Sequence, residues 1–424
     1  MHIGRCALVL LAVSAFGQDL QSTDPEERAK AAKSYREAGA DAIPTLVPLL
    51  SDAERDVRLE AVRSIVTIGT QHSLDPLIQA LKDSDPEVQI RATDGLVNFY
   101  VPGYVQKGMA RLTASIRGRF DRENRDIVDN WITVRPEVIS ETGKLAKSGA
   151  SMESRANAAR AIGILRGKAA LPDLVASLQT KDTTVLFEAL IAMQKIGDFS
   201  AGPRARPLLR DLDERVQIAA IETVGLLRAT DSIPDLQKVF DSSKSVRVRR
   251  AALTSLAMLP DPTSRPLFER GFTDKDDKVR AAAAEGFARL NQPADIELLQ
   301  QAFDAEEKMA ARLGIAFALV ALGQTKIEEF SPLTYLVNTL NSRAYRDVVE
   351  PYLTELARKP EVRNQIYQFV AKATRDEKIG LARILAVTGD RESVAQVEWI
   401  SKDGDSEVAQ EGLRALKAIR ARLN

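Results

Sequence analysis

Side chains capable of covalent chemistry are scarce in this sequence. Its 424 residues hold two histidines, His2 and His72, and one cysteine, Cys6. A Ser or Cys nucleophile needs an imidazole beside it and a third group to orient that imidazole. His72 stands in a turn between two apolar runs without such companions, and reads as an exposed turn residue. No G-x-S-x-G, Walker A, H-E-x-x-H or G-x-G-x-x-G motif occurs. Carboxylates are the abundant reactive groups, and they sit near basic partners: Asp52 with Arg58, Asp83 with Arg91, Asp241 with Arg247 or Arg249, and Asp274 with Arg280. A catalytic carboxylate array would use such acids, but nothing else in the sequence supports one. Asp121, Glu123, Asp126 and Asp129 lack the glycine and the bidentate glutamate of a calcium loop, and "DGDSE" at 403–407 reads as a turn. The expectation is a non-enzyme with no cofactor and no metal.

The charges recur because the sequence recurs. Val57, Val88, Val185, Val216, Val248 and Val279 each follow an acidic turn and open an Ala-rich apolar run, with Met309 in the same place later. Their spacings are 31, 97, 31, 32, 31 and 30, a period near 31 with one triple step. Each unit begins with a short apolar helix, such as "IPTLVPLL" (43–50) or "IPDLQKVF" (233–240). A polar turn follows, then a second helix with apolar groups at helical spacing, as in Val57, Ala61, Ile65 and Ile68. Proline stands near the start of first helices, where a missing N–H costs nothing, and Gly69, Gly197 and Gly323 close second helices. One helix pair cannot bury its apolar stripe alone, so the pairs must stack. The predicted fold is all-α: a right-handed α-solenoid of about nine or ten antiparallel helix pairs.

The pattern "IP-x-L-x-x-L-L-x-D … V-R-x-x-A" resembles HEAT repeats, especially the short bacterial form also found in phycobilisome lyase subunits. The resemblance covers most of residues 25–323 and continues in degenerate form to the end. It implies a scaffold rather than an enzyme, and gives the Asp and Arg pairs a structural role, an inter-repeat hydrogen-bond ladder.

The triple step holds an insertion of about 35 residues, 100–134, where solenoids often place binding elements. Val105, Met109, Leu112, Ile116 and Phe120 form an apolar stripe, with Lys107, Arg111 and Arg117 mostly opposite. Three readings stay open: a helix folded back on the repeats, a partner-docking element, and a membrane-surface helix. Tyr104, Arg111, Arg117, Phe120 and Trp131 are the candidate partner contacts. After Gly323 the chain holds Tyr335, Tyr345, Tyr352 and Tyr367, read as larger side chains filling atypical helices or as a Tyr-lined groove.

At the N-terminus Arg5 precedes "CALVLLAV", and Ala15 and Gly17 suit cleavage before Gln18. The expected organisation is a signal peptide (1–17), N-terminal repeats (18–99), the insertion (100–134), central repeats (135–323), and degenerate repeats with a cap (324–424). Lys plus Arg and Asp plus Glu both number 59, so no global field draws the chain to nucleic acid or anionic lipid. The function expected is an exported scaffold, periplasmic or extracellular, that binds a protein or peptide through its concave second-helix face and the insertion. Alternatives are a lyase-like or chaperone role toward a cofactor-bearing protein, or a nucleic-acid or membrane-surface binding solenoid.

Overall fold

The acidic turn does two jobs with residues set two apart. In the computed structural model, which describes residues 20–105 and 126–423, the second member of the turn caps a helix. Asp85 accepts from the amides of Glu87 and Val88, Asp213 from those of Arg215 and Val216, and Asp276 from those of Lys278 and Val279. Those amides lack partners at a helix start, so the cap stabilises each second helix by about 1 kcal/mol. The first member, Asp83, Asp211 or Asp274, receives the amide of the second. That leaves its carboxylate free to take a side chain from the neighbouring repeat.

The chain forms two units, Met1–Arg204 and Ala205–Asn424. Unit 1 contains α1 (Pro25–Ser34), α2 (Ile43–Leu46), α3 (Arg55–Ile68), α4 (Leu74–Ala80), α5 (Pro86–Tyr100), α6 (Pro136–Ser148), α7 (Met152–Ile164), α8 (Leu171–Ser177) and α9 (Thr183–Ile196). Unit 2 contains α10 (Glu214–Leu226), α11 (Ile233–Ser242), α12 (Val246–Met258), α13 (Arg265–Phe272), α14 (Asp277–Leu290), α15 (Ile296–Ala305) and α16 (Met309–Ala321). It continues through α17 (Pro332–Thr339), α18 (Arg346–Leu356), α19 (Pro360–Val370), α20 (Arg375–Thr388), α21 (Ser393–Ile400) and α22 (Ser406–Leu423). Among the described residues there is no strand, and no helix is long and apolar enough to cross a membrane. The fold is an all-α solenoid. Residues 1–17, the expected signal peptide, lie outside the described residues.

Second helices stack on second helices: α1, α3, α5, α7 and α9 in unit 1, and α10, α12, α14, α16, α18, α20 and α22 in unit 2. Helix α5 packs directly on α7, so the stack runs unbroken where the insertion leaves the chain. The motif valines are the pegs of this core, all buried to 1% exposure or less. Glycine sets the approach distance at two contacts. A Cβ on Gly163 would stand 2.7 Å from Ala192 Cα, and one on Gly314 2.7 Å from Ala281 Cα. Buried serines bridge adjacent repeats, Ser64 to the Ala32 carbonyl at 2.8 Å and Ser255 to that of Ile221 at 2.8 Å.

The structure corrects two details of register. Met309 does not hold the valine position: it begins α16 at 36% exposure, whereas Ala311 is fully buried. Glu306 receives the Lys308 amide as Asp274 receives that of Asp276, which aligns Ala311 with Val279 and Arg312 with Arg280. The ladder is also offset by one repeat from the expected pairs. Arg58 meets Asp83, not Asp52, through Nε at 2.7 Å and Nη2 at 3.0 Å, and its Nη1 donates to the carbonyls of Asp52 and Ala53 rather than to the Asp52 carboxylate. Arg28 takes Asp52, Arg249 takes Asp274, Arg280 takes Glu306, and Lys378 takes Asp403. Arg91 pairs with Glu87 on its own helix, and Asp241 with Arg270. Where the tie forms, it joins two repeats.

Candidate partner-binding site

The insertion is rooted on the second helices. At its start the Val105 amide donates to Asn98 Oδ1 of α5 at 3.1 Å. At its end the Val128 amide donates to the Ile164 carbonyl at the close of α7 (2.8 Å), and Lys195 Nζ of α9 donates to the Asp126 carbonyl (3.1 Å). The Arg135 amide then donates to Tyr100 Oη at 3.1 Å, and the Arg135 side chain holds Asp75 at 2.8 Å. Those contacts tie the two ends to three successive second helices.

Beside this root runs a row of charged side chains, placed three and six residues after each motif position: Glu60 and Arg63, Arg91 and Asp94, Asn157 and Arg160, then Glu188. They join across repeats. Arg63 lies 2.6 Å from Glu60 and 3.9 Å from Glu87, Asn157 donates to Asp94 at 3.0 Å, and Arg160 to Glu188 at 2.7 Å. Two groups, Asp94 in the row and Lys195 beside it, are electrostatically displaced. Burial pushes the Asp94 carboxyl up to about 6, against the opposing pull of the Asn157 hydrogen bond and of Arg91 and Arg160. Burial likewise lowers Lys195 to about 8, opposed by Glu188 and Asp126. Groups shifted this way by burial and specific partners mark candidate functional sites.

Of the contacts predicted from sequence, Tyr104 is 7% exposed and lies within the root, and Trp131 is half-buried in the returning segment. Arg111, Arg117 and Phe120 lie outside the described residues. The row itself was missed. Its signal was available, since polar residues recur at the plus-three and plus-six places of an otherwise apolar helix. A groove of about 390 Å³ follows the returning segment, between Asp129, Ile132 and Val134 on one side and Leu165, Arg166 and Lys168 on the other. His72 lies elsewhere, exposed beside Asp75 and Gln79 in a groove of about 490 Å³ between α2 and α4. Among the described residues no group of three His, Cys, Asp or Glu side chains could hold a metal ion. The arrangement can bind charged and hydrogen-bonding groups.

Three of the four tyrosines after Gly323 make separate contacts. Tyr352 donates to Glu285 at 2.6 Å and stacks on Phe317, Tyr367 bonds Ser393 at 2.6 Å, and Tyr335 packs edge-on against Phe303. They serve as large packing groups.

Stacked helix pairs, an inter-repeat ladder and a period near 31 residues define an α-helical repeat protein. The family model for HEAT repeats matches residues 13–99, 139–212, 202–286 and 233–320, well over half of the sequence. The chain belongs to the HEAT-repeat family. No curated protein matches it. Among solved structures it is similar to the complex of CpcE and CpcF of phycocyanin lyase from Nostoc sp. PCC7120, with 19% identity, 60% of this chain and 90% of that chain covered, and a TM-score of 0.37. It is also similar to Kap121p bound to Pho4p (14% identity, 97% of this chain, 58% of that chain, TM-score 0.45). A third likeness is to an engineered protein (20% identity, 96% and 98%, TM-score 0.36).

Proposed function

We propose that the protein is an exported, non-catalytic scaffold that receives a protein or peptide partner on the second-helix row of unit 1 and the 100–134 insertion. The observation that carries this reading is the rooting of the insertion on α5, α7 and α9 beside Asp94, Asn157, Arg160, Glu188 and Lys195. A segment tied at both ends to a row of charged groups offers a partner two adjoining surfaces, one of them rich in Arg and aromatic residues, the types that dominate interface energetics. Export is supported by the order of Arg5, the apolar run and the small residues Ala15 and Gly17.

Residues 101–134 can be replaced by a short turn because Tyr100 and Arg135 already touch. The test captures partners from envelope and secreted fractions with the full chain and with that replacement, then titrates the purified partner against both. Loss of affinity of tenfold or more, with helicity and thermal unfolding kept, supports the proposal. Equal affinity removes the insertion from it, and capture of lipid or glycan without protein ends the scaffold reading.

A further inference from the structure

Among the described residues Arg312 is a ladder cation that meets neither a carboxylate nor a carbonyl. Its counterparts meet an acid from the next repeat: Arg28 holds Asp52 at 2.8 and 2.9 Å, Arg58 holds Asp83 at 2.7 and 3.0 Å, and Arg280 holds Glu306 at 2.9 and 2.9 Å. The acid position of the repeat after Arg312 is occupied by Leu340. The carbonyl of Leu340 receives Arg346 at 2.8 Å as the Asp274 carbonyl receives Arg280 at 2.9 Å, and the Leu340 side chain is fully buried. Glu306 is already engaged with Arg280 through both oxygens, and the nearer Glu307 is an exposed side chain.

Two aromatic rings stand in place of the missing acid. The Arg312 guanidinium lies 4.8 Å from the Phe303 ring centre and 5.1 Å from that of Tyr335, and the two rings meet edge-on at 82° to form a corner. Ring faces attract the cation but accept none of its in-plane hydrogen bonds. Accordingly Nε is buried without a hydrogen-bond partner, and among the described residues the terminal nitrogens have no partner either. Arg155, whose acid position holds Thr180, differs: it donates to the Ala146 carbonyl at 3.2 Å.

We infer that Arg312 is a docking point for a carboxylate brought by a peptide or protein partner. At successive ladder steps the fold presents a guanidinium to a planar two-oxygen acceptor, and here that acceptor is not supplied by the chain. The aromatic corner fixes the plane of the guanidinium beforehand, which lowers the ordering cost of a bidentate bond. The side chain is half-exposed. The carboxylate is an Asp or Glu side chain or a peptide C-terminus. This surface lies in unit 2 and does not depend on the insertion.

The test uses the full chain labelled with ¹⁵N. The Arg312 Nε–H resonance, slow to exchange because that atom is buried, is assigned by its loss in R312K. Three short Gly/Ser peptides are titrated: one with a central Glu and blocked ends, one with Gln in its place, and the Gln peptide with a free C-terminal carboxylate. The proposal expects saturable shifts of the Arg312 resonance with the Glu or the free-carboxylate peptide, whichever is the source, and none with the blocked Gln peptide. In R312Q, with helicity unchanged, affinity for that peptide, read by calorimetry, should fall at least tenfold. No saturable shift with either carboxylate, an equal shift with the neutral peptide, or a response to inorganic phosphate alone overturns it.

Discussion

Asp94 carries the clearest consequence of burying one charge among many. Its carboxyl faces Asn157 and Arg160 from α7 and Arg91 and Glu87 from its own helix, and burial outweighs the two arginines, raising it to about 6. An unfolded Asp titrates near 3.9. Below about pH 4 both states are protonated and the site contributes nothing; as pH rises toward about 6 the unfolded state releases its proton first, so stability falls. Above that the cost is complete, on the order of 3 kcal/mol for a rise of this size. D94N keeps an acceptor for Asn157 and removes the charge. It should therefore raise the stability of the chain in urea at pH 8 and leave it nearly unchanged at pH 4. An equal gain at both pH values, or a loss at pH 8, would show that the arginines govern the site after all.

At the scale of elements, the ladder is the variable part of the repeat. Gln89 takes its Arg position in α5, where its amide oxygen receives the Ala150 amide, and Leu186 takes it in α9. In unit 2 the step between α10 and α12 places Gln217 opposite Ser243, and a groove of about 540 Å³ opens there, lined by Arg210, Gln217, Lys238, Asp241 and Ser243. Q217R combined with S243D should rebuild the tie seen between Arg58 and Asp83. A double-mutant cycle should give a coupling of about 1 kcal/mol, the worth of a partly buried charge-assisted pair. Coupling near zero would mean the ladder follows the stacking rather than reinforcing it. The helices were legible beforehand because caps, valine pegs and closing glycines act within one repeat: Gly69 and Gly197 indeed adopt φ of 58° and 72°. The ladder partners were not, since pairing across repeats depends on the offset between neighbouring turns, which one repeat's sequence does not contain. Met309 was misplaced for a related reason, because Lys308 stands where an acidic cap would have marked the helix start. The candidate site was legible only in position. Tyr104 was expected at the surface, and its burial depends on contacts with the chain around it.

At the scale of the whole molecule, helix α22 covers one side of α20: Val408, Ala415 and Ile419 are buried, while Glu407, Gln410, Leu413, Arg414, Lys417 and Arg420 face outward. It seats closely, since a Cβ on Gly412 would stand 2.5 Å from the Ser401 amide nitrogen, and one on Gly389 would meet Ile419 at 2.7 Å. Arg422 also donates to the Gly389 carbonyl at 2.8 Å. In a nearest-neighbour array the loss of a terminal element exposes one interface and weakens the adjoining repeats first. Ending the chain after Asp403 should leave the apolar face of α20 uncovered, with Leu385 and Ile384 as its core, and promote self-association. By hydrogen exchange, protection should drop most in α20 and α21, less in α16, and not at all in α5 and α7 of unit 1. A uniform drop through both units would mean that the chain unfolds as one cooperative body, and the repeat-by-repeat account of its stability would fail.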